Sequence, residues 1–198
     1  MKVIKGFFIF FFSVIVLALI LALFTNRTFV VERSIQIDKS DAVLYEYVKY
    51  LKNQGNYSYW AMLDPAMKKE YEGKDGTKGF VYKWSGNKEV GSGEMIIRNL
   101  VDNQRVDYDL IFNEPQESKG KASIIFSPIS ASECKVTWTM EGKMNYPMNI
   151  FLLMVDMDSI IGKQLGSSLT NLKLLMDQMP EGPEINNIPK IDSLGLNE

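Results

Sequence analysis

The stretch GFFIFFFSVIVLALILALF, from Gly6 to Phe24, constrains this chain more than any other feature, because no face of it is polar enough to sit in water. Ser13 is its single polar side chain, so a helix built from it lacks the amphipathic stripe of a soluble helix. At about 1.5 Å per residue the run reaches roughly 28 Å, close to the hydrocarbon thickness of a bilayer. A helix buried in a core is the plain alternative, and the length and terminal position weigh against it. A cleaved signal peptide is the stronger rival. Its apolar region is normally shorter, and the exit LALFTNRTF offers no good pair of small residues for cleavage. The sequence therefore predicts an uncleaved transmembrane anchor over residues 1–26. Lys2 and Lys5 favour a cytoplasmic amino terminus, while Arg27, Arg33 and Lys39 beyond the span blunt that bias. Long downstream domains translocate largely regardless of charge, so the expected arrangement is single-pass, with the domain on the non-cytoplasmic side.

Beyond the span, a chain of 198 residues has enough left for one ordinary domain. The chain has no histidine, and Cys134 is its single cysteine. Those absences remove Ser-His-Asp and Cys-His nucleophile systems, histidine acid–base chemistry and the common zinc ligand sets, so no metal or other cofactor is expected. A disulfide within the chain is impossible. A net charge of −2, with no basic patch interleaved with aromatics, gives no nucleic-acid footprint. Any catalysis would have to come from carboxylates, Lys, Arg, Tyr or Ser.

Periodicity orders the rest. TFVVERSIQID (28–38) alternates, with Val31, Arg33, Ile35 and Ile37 on one face, and reads as a strand. KSDAVLYEYVKYL comes next as a helix, with Ser40 or Asp41 as its N-cap. After a short helical or irregular connection, YSYWAMLDPAMKKEYEG (57–73) sets two tyrosines and a tryptophan before the Asp64-Pro65 turn. It then restarts in alternation. KGFVYKWSG, EVGSGEMIIRNL, QRVDYDLIFN, KASIIFSPI and ECKVTWTMEG read as further strands, joined by spacers rich in Gly, Asn, Asp and Ser. Short turns between alternating strands imply an antiparallel meander with one buried face. From Pro147 to Met179 an apolar stripe steps through Ile150, Met154, Met157, Ile161, Leu165, Leu169, Leu172 and Met176, predicting one long helix. Gly162 and Gly166 interrupt it where the helix could bend or admit another backbone. Residues 180–198, with three prolines and no periodicity, read as a loose tail. The domain is therefore expected over 27–179.

In that order, the words VERSIQIDKSDAVLYEYV, YWAMLDP, VGSGEM, CKVTWTMEGKM and MDSIIGKQLGSSLTNLKLL resemble the helix-grip superfamily. This superfamily (SRPBCC) includes START domains, the birch-pollen allergen family and polyketide cyclase/dehydrase-like proteins. The resemblance covers about residues 28–178 and leaves the anchor outside it. It implies an α+β fold in which a curved antiparallel β-sheet wraps around a long C-terminal α-helix and encloses a hydrophobic cavity. It also implies that the segment after the first helix closes one end of that cavity, with Trp60 either lining the pocket or plugging the core.

The inward-facing set is rich in aromatics and methionine: Phe80, Tyr82, Trp84, Tyr108, Phe112, Trp138 and Met140, with Met154, Met157 and Ile161 from the helix. Methionines adapt to ligands of varied shape, while ordinary core packing is the reading for any one of them alone. Arg33 shares the inward face of its strand, where an unpaired guanidinium is costly. It would pair with a carboxylate, await an anionic head group, or sit in water on a shifted register. GSG (91–93) lies inside a strand, which favours a bulge over a phosphate loop. Asp156 and Asp158 fall off the apolar stripe and read as solvated, and Cys134 reads as a buried small hydrophobe. The reading is of a membrane-anchored protein whose partner is a hydrophobic or amphipathic small molecule, lipid- or polyketide-like. Orientation would come from Arg33, Tyr82 or Tyr108. Two alternatives stand: a cyclase or dehydratase acting on a polyketide-like substrate, and an interaction module whose cavity is filled by its own side chains. An empty pocket above roughly 300 Å³ favours the first two. The missing histidine favours binding over catalysis.

Overall fold

The computed structural model describes residues 2–179; the tail expected over 180–198 lies outside the described residues. Helix α1 (Lys2–Phe24) includes 21 residues, Ile4–Phe24, long and apolar enough to cross a membrane by length and composition. Its phenylalanines, leucines and isoleucines are mostly exposed, so the domain does not use them as core.

Seven strands form one antiparallel sheet: β1 (Thr28–Ile37), β2 (Lys68–Glu72), β3 (Val81–Ser85), β4 (Ser92–Val101), β5 (Arg105–Glu114), β6 (Ser118–Ser130) and β7 (Glu133–Lys143). Strands β2 to β7 run as a meander, and β1 closes on β7, giving the order β1-β7-β6-β5-β4-β3-β2. β1 shows the alternation the sequence predicts, with Val31 and Ile37 buried and Glu32, Ser34 and Gln36 exposed. In β4 the register slips between Ser92 and Gly93 and again between Ile97 and Asn99. Such bulges bend a strand and sharpen its twist. At Gly93 a Cβ would lie 2.6 Å from the Trp84 ring and would collide with the Ile111 carbonyl oxygen. The GSG stretch is thus a bulge with close backbone approach.

Helix α2 (Asp41–Val48) starts at Ser40, whose Oγ accepts from the Val43 N–H, and buries Leu44, Tyr45, Tyr47 and Val48. A 3-10 helix (Leu51–Asn56) and the short α3 (Tyr59–Leu63) carry the chain to β2. The stretch from Pro147 onwards departs from its expected form. A 3-10 helix (Met148–Leu153) comes first, and α4 (Met157–Asp177) begins only after a break. The Asp156 side chain accepts from the Ser159 N–H at 3.1 Å and the Ser159 hydroxyl at 2.6 Å. That N-cap satisfies groups a continuous helix would bond internally, so α4 starts there. Beyond the break the stripe holds: Leu165, Leu169, Leu172 and Met176 are buried on α4, joined by Ser168 and Leu175. The sheet grips this helix, with β1 the strand most closely packed on it. This is the helix-grip architecture.

What approaches Gly162 is a side chain rather than a backbone. A Cβ there would collide with Nη2 of Arg33, whereas one on Gly166 would meet open space.

Candidate functional site

Sheet and helix do not fill the volume between them. A cavity of about 1350 Å³ is left, open at one end of the sheet. Trp60, Tyr82, Trp84, Phe112, Trp138, Met140, Met157 and Ile161, all expected from the sequence, line it. Three residues absent from that expectation, Gln54, Met95 and Leu110, also contribute to the wall. Alternation in β5 already sets Leu110 on the face of Tyr108 and Phe112, and in β4 it could have supplied Met95. Gln54 lies in the aperiodic LKNQGN, which carries no such signal.

The aromatic walls are organised by packing. Trp60 and Tyr57 each meet Trp138 edge-on, at 6.3 and 6.1 Å between ring centroids. Across the cavity Tyr82 tilts against Trp84 at 5.9 Å, and Trp84 meets Phe112 edge-on at 5.9 Å. Such edge-to-face pairs hold rings in place by about 0.5–1.5 kcal/mol beyond area burial. Segment 57–65 is tied down from outside. The Tyr59 N–H donates to Ser168 Oγ at 2.9 Å, the Asn171 side-chain amide donates to the Tyr57 carbonyl at 3.2 Å, and the Asn87 N–H donates to Asp64 Oδ2 at 2.7 Å. The two readings of that segment divide between its residues: Tyr57 is core, fully buried, and Trp60 is cavity wall.

Other expected residues lie elsewhere. Phe80 and Tyr108 are buried in the core beside the cavity and do not reach its wall. Met154 is 80% exposed, because the break before α4 turns it away from the sheet. Arg33 does face inward, yet its guanidinium forks onto Asp158, with Nη1 to Oδ1 at 2.8 Å and Nη2 to Oδ2 at 2.7 Å. It lies flat on Gly162, outside the cavity lining. The pair holds the Asp158 carboxyl below its usual range and raises the Arg33 guanidinium, chiefly through that hydrogen bond. Asp158 stays exposed, as its place off the stripe suggested.

The charged lining residues belong to the mouth, and away from it the polar inventory is short. Burial pushes the Tyr82 phenol well above its ordinary range, so it stays a neutral hydroxyl at any working pH. The hydrogen-bonded tyrosine–carboxylate pair, Tyr45 with Asp102 at 3.0 Å, is not part of the lining. Gln54 is 4% exposed; its side chain lies beside the buried Tyr108 hydroxyl, and its Nε2 meets no partner at full hydrogen-bond geometry among the described residues. An unsatisfied buried donor of this kind costs about 1–3 kcal/mol unless something in the cavity accepts from it. Cys134 is buried in the core on the inner face of β7, its thiol pushed up to about 11 by desolvation, which leaves it unreactive. Among the described residues no cluster of His, Cys, Asp or Glu could hold a metal ion.

The mouth is built from connections at one end of the sheet. The β3–β4 turn contributes Glu89 and Val90, the β5–β6 turn Glu114–Lys119, the link after β7 Lys143–Tyr146, and the following 3-10 helix Met148 and Phe151. α1 ends at this same end, since Thr28 at the start of β1 pairs with Lys143 at the end of β7.

No protein-family model matches this chain, and no curated protein matches it in sequence. Solved structures do match in shape. Truncated norcoclaurine synthase from Thalictrum flavum is similar with a TM-score of 0.59 and 13% identity, over 79% of this chain and 98% of that one. The same enzyme in complex with dopamine and hydroxybenzaldehyde gives 0.56 and 12%, over 81% and 92%. A Chromobacterium violaceum protein gives 0.55 and 11%, over 76% and 98%. These neighbours are helix-grip proteins, and the chain has their fold. At such identities the likeness reaches no further than the fold.

Proposed function

We propose that this chain is a membrane-anchored binding protein that takes a hydrophobic or amphipathic, lipid-like small molecule into the cavity between sheet and helix. The single observation that carries the reading is the cavity: about 1350 Å³, several times the roughly 300 Å³ at which ligand pockets begin, with eight aromatic and six methionine side chains in its lining. That volume argues against a domain filled by its own side chains. Residues 27–179 are the binding unit, and α1 is its anchor, with the domain on the non-cytoplasmic side.

Affinity would come from apolar burial, at about 25 cal/mol per Å² removed from water. Orientation would come from Gln54 Nε2 and the Tyr82 hydroxyl, replacing the Arg33 and Tyr108 expected from sequence. A carbonyl, ester or hydroxyl oxygen on the ligand would satisfy the Gln54 donor. Binding without turnover is the reading the titratable groups support. Burial moves the titration of Tyr82 further from neutral pH, and acid–base catalysis works best with a group near the working pH.

The test is native mass spectrometry on the full-length chain, extracted from membranes in a mild detergent. The expected result is a co-purifying lipid-like molecule at one per chain, chemically unchanged after prolonged incubation. Conversion of the bound molecule, abolished by Tyr82→Phe, would replace binding with catalysis.

A further inference from the structure

The 3-10 helix Met148–Leu153 is the place where anchor, cavity mouth and exposed apolar surface meet. Asn149, completely buried, donates through Nδ2 to the Ala22 carbonyl at 2.7 Å and the Thr25 carbonyl at 3.0 Å. The last carbonyls of a helix have no partner within it, so Asn149 caps α1 from outside and fixes the 3-10 helix against its final turn. Ala22 lies three residues before Thr25, about 4.5 Å along the helix axis. If α1 spans a bilayer, the 3-10 helix therefore sits at the boundary between headgroups and acyl chains.

Its side chains suit that depth. Met148 and Phe151 line the cavity mouth and are 41% and 43% exposed. Leu153 and Met154, just beyond them, are 65% and 80% exposed. Four large apolar side chains left open within seven residues form a patch rather than scattered surface hydrophobes. Charge does not explain the patch. The cavity rim carries Glu89, Glu114, Glu117 and Glu141 against Lys119 and Lys143, so an anionic surface gains nothing from it.

We infer that Met148, Phe151, Leu153 and Met154 embed in the outer acyl region of the membrane that α1 crosses, so that the cavity mouth rests on the bilayer and receives an acyl chain directly from a lipid without net negative charge. This rests on the proposed binding function and names the ligand's source. The occupant is the bilayer itself, because Asn149 ties the patch to the turn of α1 that leaves it.

Two measurements on the full-length chain in phosphatidylcholine nanodiscs test it. In a Cys134→Ser background, Leu153→Cys carrying an environment-sensitive fluorophore should emit at shorter wavelength and be quenched by lipids spin-labelled near the top of the acyl chain. The same label on Ser132→Cys, in the β6–β7 turn at the far end of the sheet, should not. An unquenched Leu153 label overturns the inference. In the second, Leu153→Asp with Met154→Asp should slow uptake of a fluorescent phosphatidylcholine from the bilayer by about tenfold or more. Uptake of a water-soluble medium-chain fatty acid probe should stay unchanged, because the double variant leaves the interior walls of the cavity intact. Equal uptake of the bilayer probe by variant and parent overturns the membrane-facing mouth while leaving binding intact. Failure of the parent chain to take up either probe overturns the binding function, and this inference with it.

Discussion

Arg33 shows how the sequence can place a residue and leave its partner open. Alternation in β1 puts it on the inner face, and there it is. Its partner, however, lies 125 positions away on α4, and no local pattern announces Asp158. An ion pair this exposed is worth little on its own, because water screens it. Steric fit is the larger effect, because the guanidinium occupies the space a side chain at position 162 would need. Gly162→Ala should therefore destabilise the domain even though alanine favours a helix by about 1 kcal/mol over glycine. In an Arg33→Ala background the same change should become stabilising, by about 0.5–1 kcal/mol. Thermal or chemical denaturation of the four proteins checks the change of sign, and a like cost in both backgrounds would remove Arg33 as the cause. Gln54 is the opposite case: nothing about LKNQGN suggested a buried donor, because its burial comes from the sheet folding over it.

Among the elements, strands were the most legible. Alternation and turn residues located all seven, and the antiparallel meander came from the short turns. The long helix was half legible. Its stripe keeps step from Ile150 to Met176, so spacing alone cannot reveal that the backbone stops and restarts between Leu153 and Met157. Asp156 and Ser159 held the signal, an N-cap pair inside the stripe. Their weight is measurable: Asp156→Ala should cost about 0.5–2 kcal/mol by denaturant titration, as lost caps do. Probe affinity should change little, because Asp156 is absent from the cavity wall. Met157→Ala should do the reverse, altering affinity for a hydrophobic probe more than stability, since Met157 faces empty volume rather than tight core. Stability loss of about 2–5 kcal/mol without a change in affinity would place Met157 in packed core instead.

For the whole molecule, the sequence implied a cavity only through resemblance; its size and opening depend on how far sheet and helix stand apart, which no periodicity encodes. The arrangement offers its own reporter. The chain has three tryptophans, Trp60, Trp84 and Trp138, and all three line the cavity. The most direct test is to titrate the full-length chain in detergent with a fluorescent fatty acid that accepts tryptophan emission. Energy transfer should rise to saturation at one probe per chain and be reversed by a non-fluorescent lipid. A probe whose polarisation shows it bound, while the three tryptophans transfer nothing to it, would contradict a ligand held between sheet and helix.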